Sequence, residues 1–276
     1  QEHESVWKAL AQAVPERSSA GYGGFHCVPS ISGVDRRGEV EVEWAAMFFN
    51  GGSAGGASKN ADGWPLIISS SSMGGLKILS TEMCELLHPL MIDHHEIETD
   101  SMGHGTTMGG AGINIVVRPY GGPMDCHATG DGTANPPFGL FGGTPGIGGG
   151  SYREDLESGH RTYCSSKGYL KIDEGQVWVG VSSGGGGYGD PLERPASKVA
   201  NHVRDEVISM ETARNVYGVV VDRKSFAVDE EATRALRSEV AKARGDLPAL
   251  QPTEPDAANW LESHMREGDE YLLDPQ

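Results

Sequence analysis

A serine between glycines is the first residue whose setting suggests chemistry. Residues 51–55 read Gly-Gly-Ser-Ala-Gly after a strand-like run, which is the pattern of a hydrolase nucleophile elbow with Ser53 as nucleophile. A helix follows the serine in such an elbow, whereas residues 56–63 here indicate a loop. A stand-alone serine hydrolase would be active as the isolated chain and inactive as Ser53→Ala, and we expect neither.

A run of glycines is the second candidate. Residues 182–191 read Ser-Ser-Gly-Gly-Gly-Gly-Tyr-Gly-Asp-Pro, and consecutive backbone N–H groups of this kind could form a nest for an anion. A mononucleotide loop would continue with Gly-Lys-Ser/Thr, and a dinucleotide loop would open a helix, but neither pattern is present. We therefore interpret the run as a close-packed glycine loop at a domain or subunit contact.

Histidines and carboxylates cluster around residues 88–104, a composition that suits a divalent metal. The metal-ligand candidates are His94, His95 and His104. However, adjacent histidines on a strand point to opposite faces, and the His-Glu-x-x-His pattern is absent. We expect surface or interface histidines and no metal site within this chain.

Composition excludes several classes of protein. The chain has 276 residues and a net charge of −17, which argues against binding to nucleic acid or an anionic membrane. No stretch approaches the roughly 20 apolar residues of a membrane-spanning helix, and no signal-like leader opens the sequence. The four cysteines are far apart and form no Cys-x-x-Cys pair. We expect a cytoplasmic protein with free, partly buried thiols.

The glycine distribution divides the chain into regions. All but three of the 40 glycines precede residue 196, where they separate short β-rich runs at residues 39–49, 113–117 and 176–181. The predicted fold is mixed α+β and β-rich. It has glycine-rich short antiparallel strands and loops over about residues 1–195, a small helical segment over 196–246 and an acidic, proline-containing tail over 247–276.

Helical patterns are few. One short helix is predicted within residues 76–90, with Ser80 or Thr81 as N-cap and Pro89 closing it. After Pro195, helices are predicted through Val199, Val203 and Val207 and over residues 210–217, before a strand-like run at 219–221. The last predicted helix begins at Asp229 and stops at Gly245. The tail is expected to wrap a neighbouring surface or to be partly disordered.

Several loop motifs, in this order, carry a family resemblance. They are Asp-Ser-Met-Gly at 100–103, Gly-Gly-Ala-Gly at 109–112, Gly-Leu-Phe-Gly-Gly at 139–143 with Pro-Gly at 145–146, and Gly-Gly-Gly-Gly-Tyr-Gly-Asp-Pro-Leu-Glu-Arg at 184–194. Residues 205–209 and 213–220 complete the pattern. From about Val6 to Arg244 the chain resembles the C-terminal part of the hydantoinase B family, which includes part of the 5-oxoprolinases and the homologous subunits of acetone and acetophenone carboxylases.

The resemblance implies a multi-subunit enzyme. Family members act with a hydantoinase A-type subunit that binds ATP, and the oxygen of a carbonyl or amide is activated by phosphorylation. Cyclic amides are then hydrolysed, whereas enolised ketones attack activated bicarbonate. Of these, the division into small subunits slightly favours carboxylation of a small or aromatic ketone over hydrolysis of a hydantoin, 5-oxoproline or lactam. A non-catalytic scaffold subunit is the other alternative.

One departure from the family pattern limits what can be carried over. The Asn-Asp-Pro-Tyr-type segment and the histidine pair followed by aspartate, associated with the family's divalent metal, are absent. The resemblance thus implies that ATP and metal belong to partner subunits, including a polypeptide that supplies the N-terminal half of the module, or that this chain is a fragment. No catalytic residue is assigned. The candidates for chamber or interface loops are Asp100, Ser101, Gly103, Gly109, Gly110, Gly142, Gly143, Gly186, Gly187, Tyr188 and Asp190.

Overall fold

Two β-sheets face each other in this computed structural model, which describes residues 2–24, 27–67, 77–133, 135–164, 167–247 and 264–272. The strands are β1 (Ser30–Asp35), β2 (Val42–Met47), β3 (Leu90–Ile97), β4 (Ile113–Pro119), β5 (Met124–Thr129), β6 (Gly150–Asp155), β7 (Arg161–Cys164), β8 (Lys167–Ile172), β9 (Gln176–Val181) and β10 (Glu270–Leu272). One sheet has the order β2-β1-β5-β8 and the other β10-β7-β6-β9-β4-β3. All described strand pairs are antiparallel except β10–β7.

The main apolar core lies between the two sheets. Alternate residues of β4, namely Ile113, Ile115 and Val117, pack against Met124 and Cys126 of β5 in the opposite sheet. Each of the four cysteines is buried and unpaired, as the sequence predicted. The predicted strands at 113–117 and 176–181 are confirmed as β4 and β9, and the run at 39–49 contains β2.

The glycine-rich segments form a second core, made of backbone. Residues 184–187 run through its centre. A Cβ atom added at Gly184 or Gly187 would meet residues 101–104, whereas one at Gly185 would meet residues 55–56 and one at Gly186 would meet Phe138. Residues three positions apart in this run thus face the same neighbouring segment. A three-residue repeat is that of a polyproline II helix, which makes no internal hydrogen bonds. Its backbone groups must therefore bond to neighbouring segments.

Those bonds are present on every side of the central segment. The N–H groups of Gly185, Gly186 and Gly187 donate to the carbonyl oxygens of Gly110, Gly21 and Thr144, at 2.8–2.9 Å. We call this arrangement of residues 20–24, 54–57, 101–112, 137–146 and 182–188 the glycine bundle. The five consecutive N–H groups of residues 185–189 all donate to backbone oxygens, so they are not free to form the anion nest considered for residues 182–191.

Five α-helices and three short 3-10 turns complete the described structure; the α-helices are α1 (Glu2–Leu10), α2 (Thr81–Leu87), α3 (Ala196–Arg204), α4 (Met210–Asn215) and α5 (Glu230–Arg244). The predicted caps are confirmed, since the Ser80 side chain accepts from Met83 N–H and the Asp229 side chain from Ala232 N–H. The α5 helix ends at Gly245, as predicted. The helix α1 was not predicted from sequence.

The C-terminal region packs against the glycine bundle. Val199, Val203 and Tyr217 join Met102 and Met108 in one apolar cluster. Residues 219–221 do not form the predicted strand, because only Val221 pairs, in an isolated bridge to Val228.

In the tail, β10 extends the larger sheet, whereas residues 248–263 and 273–276 lie outside the described residues. No described helix is long and apolar enough to cross a bilayer. The mixed, strand-rich fold class is confirmed.

Candidate functional site

The predicted loop residues come together around the glycine bundle. Six of the seven predicted glycines have no room for a side chain, because a Cβ atom would lie within 2.0–2.4 Å of backbone atoms of a neighbouring segment; these are Gly103, Gly109, Gly110, Gly143, Gly186 and Gly187. Gly142 differs in having a positive φ of 94°. These glycines therefore allow neighbouring backbone segments to pack in direct contact. They do not form an open loop around a ligand.

Asp100 and Ser101 bind the backbone of their own chain. Asp100 has a φ of 60°, and its carboxylate accepts from Ser209 N–H at 2.9 Å, which connects the bundle to the start of α4. Ser101 is fully buried; its hydroxyl donates to Glu98 O at 2.6 Å and accepts from Gly112 N–H at 2.8 Å. Both side chains hold loops together; the Asp100 side chain is half-buried, and Ser101 is too enclosed to act as a nucleophile.

Tyr188 and Asp190 end the central glycine run. The Tyr188 hydroxyl donates to Pro15 O at 3.0 Å. The Asp190 carboxylate receives both Nη groups of Arg244, at 2.8 and 2.5 Å, and the N–H of Leu192. Burial favours the neutral acid, but these hydrogen bonds outweigh it and lower the pKa of Asp190. Asp190 is thus an ionised anchor for α5.

A buried arginine, to which the sequence assigned no role, forms the centre of a second network. Arg194 is 1% exposed and donates from its two Nη groups to the two carboxylate oxygens of Asp62, each at 2.8 Å. It also donates to Thr106 O and to His202 Nε2, both at 3.0 Å. Because a guanidinium only donates, His202 must accept with an unprotonated Nε2. Arg194 was visible only as the last residue of the 184–194 motif.

His104 lies next to this network and is not arranged as a metal ligand. Its Nδ1 shares a hydrogen bond of 3.0 Å with the hydroxyl of Tyr217, and both side chains are buried. Burial lowers the pKa of His104 to about 4, so the ring is neutral at physiological pH. The pair joins the bundle to the helical region.

The other two histidines of the predicted cluster are separated by the strand. A β-bulge in β3 places His94 opposite Val116 and His95 opposite Ile115, on the two faces of the sheet. The side chain of His94 is 61% exposed, and its nearest described carboxylate, that of Glu96, lies 3.7 Å away. Within the ranges that the structure describes, no group of three or more histidine, cysteine, aspartate or glutamate side chains could hold a metal ion.

Ser53 is enclosed by the glycine bundle. Its side chain is 1% exposed, and its hydroxyl donates to Gly24 O in a short hydrogen bond. A short 3-10 turn, Phe49–Gly51, precedes it, and no helix follows before residue 68. A nucleophile elbow is therefore not formed.

A cavity of about 280 Å³ lies where α1 meets the bundle, and sequence reasoning missed it because α1 was not predicted. Glu4 and Lys8 of α1 line it together with Asp131 and Phe138. The Glu4 carboxylate accepts from Tyr22 N–H at 3.1 Å, while the Lys8 ammonium lies 5.3 Å from the centre of the Phe138 ring. Burial raises the pKa of Glu4 to about 7.

Comparisons with known proteins agree with this architecture. Residues 3–191 match the family model described as Hydantoinase B/oxoprolinase. The caprolactamase beta subunit of Pseudomonas jessenii is 34% identical over 241 residues, which cover 85% of this chain and 41% of that protein. The B-type component of the putative D-/L-hydantoinase of Pseudomonas sp. (strain NS671) is 31% identical, covering 85% and 38%. The acetophenone carboxylase delta subunit of Aromatoleum aromaticum is 28% identical, covering 70% and 32%.

A solved structure extends the match to three dimensions. The crystal structure of the ATP-dependent caprolactamase from Pseudomonas jessenii superposes with a TM-score of 0.66 at 29% identity, covering 84% of this chain and 40% of that one. The chain thus spans about two fifths of the length of the caprolactamase and hydantoinase relatives that it matches. The motifs, the fold and the family match agree, and the chain belongs to the hydantoinase B/oxoprolinase family.

Proposed function

We propose that this chain is the framework part of the hydantoinase B-type component of an ATP-dependent enzyme that opens a cyclic amide. The observation that carries the proposal is the 34% identity with the caprolactamase beta subunit over 85% of the chain. The hydantoinase relative points to the same class of ring, at 31% identity. Similarity to the acetophenone carboxylase subunit is lower and covers less of the chain.

The chemistry of such an enzyme has one main difficulty, the low reactivity of the amide carbon toward water. In the proposed reaction the amide oxygen attacks the γ-phosphorus of ATP, and ADP leaves. Water then adds to the activated carbon, the C–N bond breaks to give an acyl phosphate, and a second water releases carboxylate and phosphate. Attack of free water at phosphorus would return the intact amide and waste the ATP, so a protein framework that controls the access of water is needed.

The framework role is supported by how the candidate side chains are used. Ser53 and Ser101 donate to backbone carbonyls, and Asp62 and Asp190 are each bound by an arginine. In the glycine bundle, backbone packs directly against backbone, which makes the bundle rigid without the entropy loss of ordering many side chains. We propose that ATP is bound by a hydantoinase A-like subunit and that the metal is held by the part of the module that this chain does not cover.

Assay of the assembled enzyme tests the reaction. The complex containing this chain is incubated with ATP and caprolactam, hydantoin or 5-oxoproline, and ring opening and ADP release are measured. We expect ring opening that requires ATP and is independent of bicarbonate. Turnover that requires a ketone and bicarbonate and yields a 3-oxo acid would instead support ketone carboxylation, the second candidate, which the acetophenone carboxylase similarity favours.

Substitution of Asp190 tests the framework role. Asp190→Asn removes the ion pair with Arg244, so we expect a lower melting temperature and a smaller yield of intact complex, with kcat per intact complex within about twofold of the wild type. Arg244→Gln, which breaks the same pair from the other side, should have the same effect. A fall in kcat of a hundredfold or more in Asp190→Asn alone, with the complex intact, would instead assign Asp190 to a reaction site.

A further inference from the structure

The outward side of α2 is apolar where a surface helix is normally polar. Leu79, just before the helix, and Met83, Leu86 and Leu87 on it are 42–69% exposed. Met83, Leu86 and Leu87 follow the i, i+3, i+4 spacing that puts side chains on one side of a helix. We call these four residues the α2 face.

Contacts on the inward side of α2 fix this orientation. Cys84 is buried in the core between the sheets, and the Glu85 carboxylate accepts from Ile92 N–H of β3 at 2.8 Å. On the other flank, Arg37 donates to Glu85 O at 2.8 Å, and His88 stacks on Trp44 of β2. The helix spans the gap between the edge strands β2 and β3, so it cannot turn its leucines inward without losing these contacts.

Charge around the α2 face favours a different protein surface over a second copy of this chain. Exposed carboxylates lie on α2 itself and on both flanking strands, at Glu82, Glu43 and Glu96. In a two-fold dimer the same surface would face itself and bring these acids together, in a chain whose net charge is already −17. A partner surface with an apolar centre and lysines or arginines at its rim fits better.

The relatives indicate where such a partner comes from. This chain spans only 41% and 38% of the length of two of them, so most of their polypeptide must pack somewhere around the part that this chain represents. We propose that the α2 face is the docking surface for that remaining part of the hydantoinase B module, on the same polypeptide or on a separate one. The inference rests on the proposed function only in requiring that the complete module exists.

Charge substitution measures the contact. In the complex, or in the longer chain where both parts are joined, Leu86→Glu places a carboxylate at the most exposed position of the α2 face. We expect binding of the remaining module to weaken at least about tenfold, as for a central interface residue. Val6→Glu is the matched control, because Val6 is also an exposed apolar residue of a helix (55%) but lies on α1, which contacts the glycine bundle through Glu4 and Lys8. Its affinity should stay within about twofold of the wild type.

Site-specific photo-cross-linking gives a second measurement that does not depend on a destabilising charge. A benzophenone amino acid replaces Leu86 in the assembled protein, and the linked peptide is identified by mass spectrometry. We expect a peptide that aligns with the part of the caprolactamase beta subunit outside this chain's match. A cross-link to a second copy of this chain, or unchanged affinity in Leu86→Glu, would overturn the proposal. Assembly is measured separately from ring opening, so a wrong substrate leaves this test unaffected.

Discussion

Arg194 and Asp62 lie 132 positions apart in the sequence, yet each Nη group of the buried guanidinium is 2.8 Å from one oxygen of the carboxylate. The same carboxylate accepts from Met108 N–H, and the same guanidinium bonds to Thr106 O. This ion pair therefore connects the loop that follows residues 54–57, the 101–112 segment and the start of the helical region. It attaches the glycine bundle to α3.

Breaking this pair should destabilise the protein strongly. Arg194→Met leaves the half-buried Asp62 carboxylate without its cation, which we expect to lower the free energy of unfolding by about 2–3 kcal/mol. Urea denaturation followed by circular dichroism measures the change. The control Arg204→Met removes an ion pair with Asp205 whose partners are both more than half exposed, and it should cost less than about 1 kcal/mol. Equal losses in the two variants would show that Arg194 is not an anchor.

The glycine bundle should not tolerate even one methyl group at its centre. In Gly186→Ala the new Cβ would lie 2.0 Å from Phe138 O, with other backbone close by, so we expect a loss of more than about 4 kcal/mol or failure to fold. Gly38→Ala is the matched control, because the nearest atom to its Cβ is 3.9 Å away. That variant should stay within about 0.5 kcal/mol of the wild type. Soluble expression and melting temperature report both results.

Stability should fall as the pH falls from 7 toward 4 because of His104. Burial lowers its pKa in the folded state to about 4, below the ordinary 6.5, so the unfolded chain takes up a proton first. The contribution of a neutral His104 is complete above pH 6.5. By pH 5 it should have dropped by about 2 kcal/mol.

His104→Gln should remove that part of the pH dependence. Denaturation midpoints at pH 7.5 and pH 5 are compared for the wild type, His104→Gln and the control His94→Gln, whose side chain is 61% exposed. We expect His94→Gln to keep the wild-type difference between the two pH values. If His104→Gln also keeps it in full, His104 is not the group responsible.

Ser53→Ala should leave catalysis unaffected. The hydroxyl is buried and donates to Gly24 O, so its loss should cost about 1 kcal/mol of stability while turnover of the assembled enzyme stays within about twofold. Steady-state turnover per intact complex is the measurement. A hundredfold loss with the complex intact would restore Ser53 as a nucleophile candidate.

Local patterns predicted local structure well in this chain. Strands β4 and β9, the caps of α2 and α5 and the end of α5 at Gly245 all follow from side-chain periodicity and capping chemistry, which depend on neighbouring residues. The first helix α1 was missed, and the valines at 219–221 were wrongly predicted as a strand, because a strand also needs a partner and only Val221 has one. Close backbone contact in the glycine runs was predicted, but not its geometry.

The sequence by itself determined the family, the acidic character and most regular elements, since each depends on composition, motif order or near neighbours. Tertiary structure alone decided what the motif residues do. The segments that surround residues 184–187 are far apart in the chain. So are the partners in three side-chain contacts: Asp190 with Arg244, His104 with Tyr217 and Arg194 with Asp62. Their partners depend on how the backbone folds back on itself, and single-residue patterns do not encode that path.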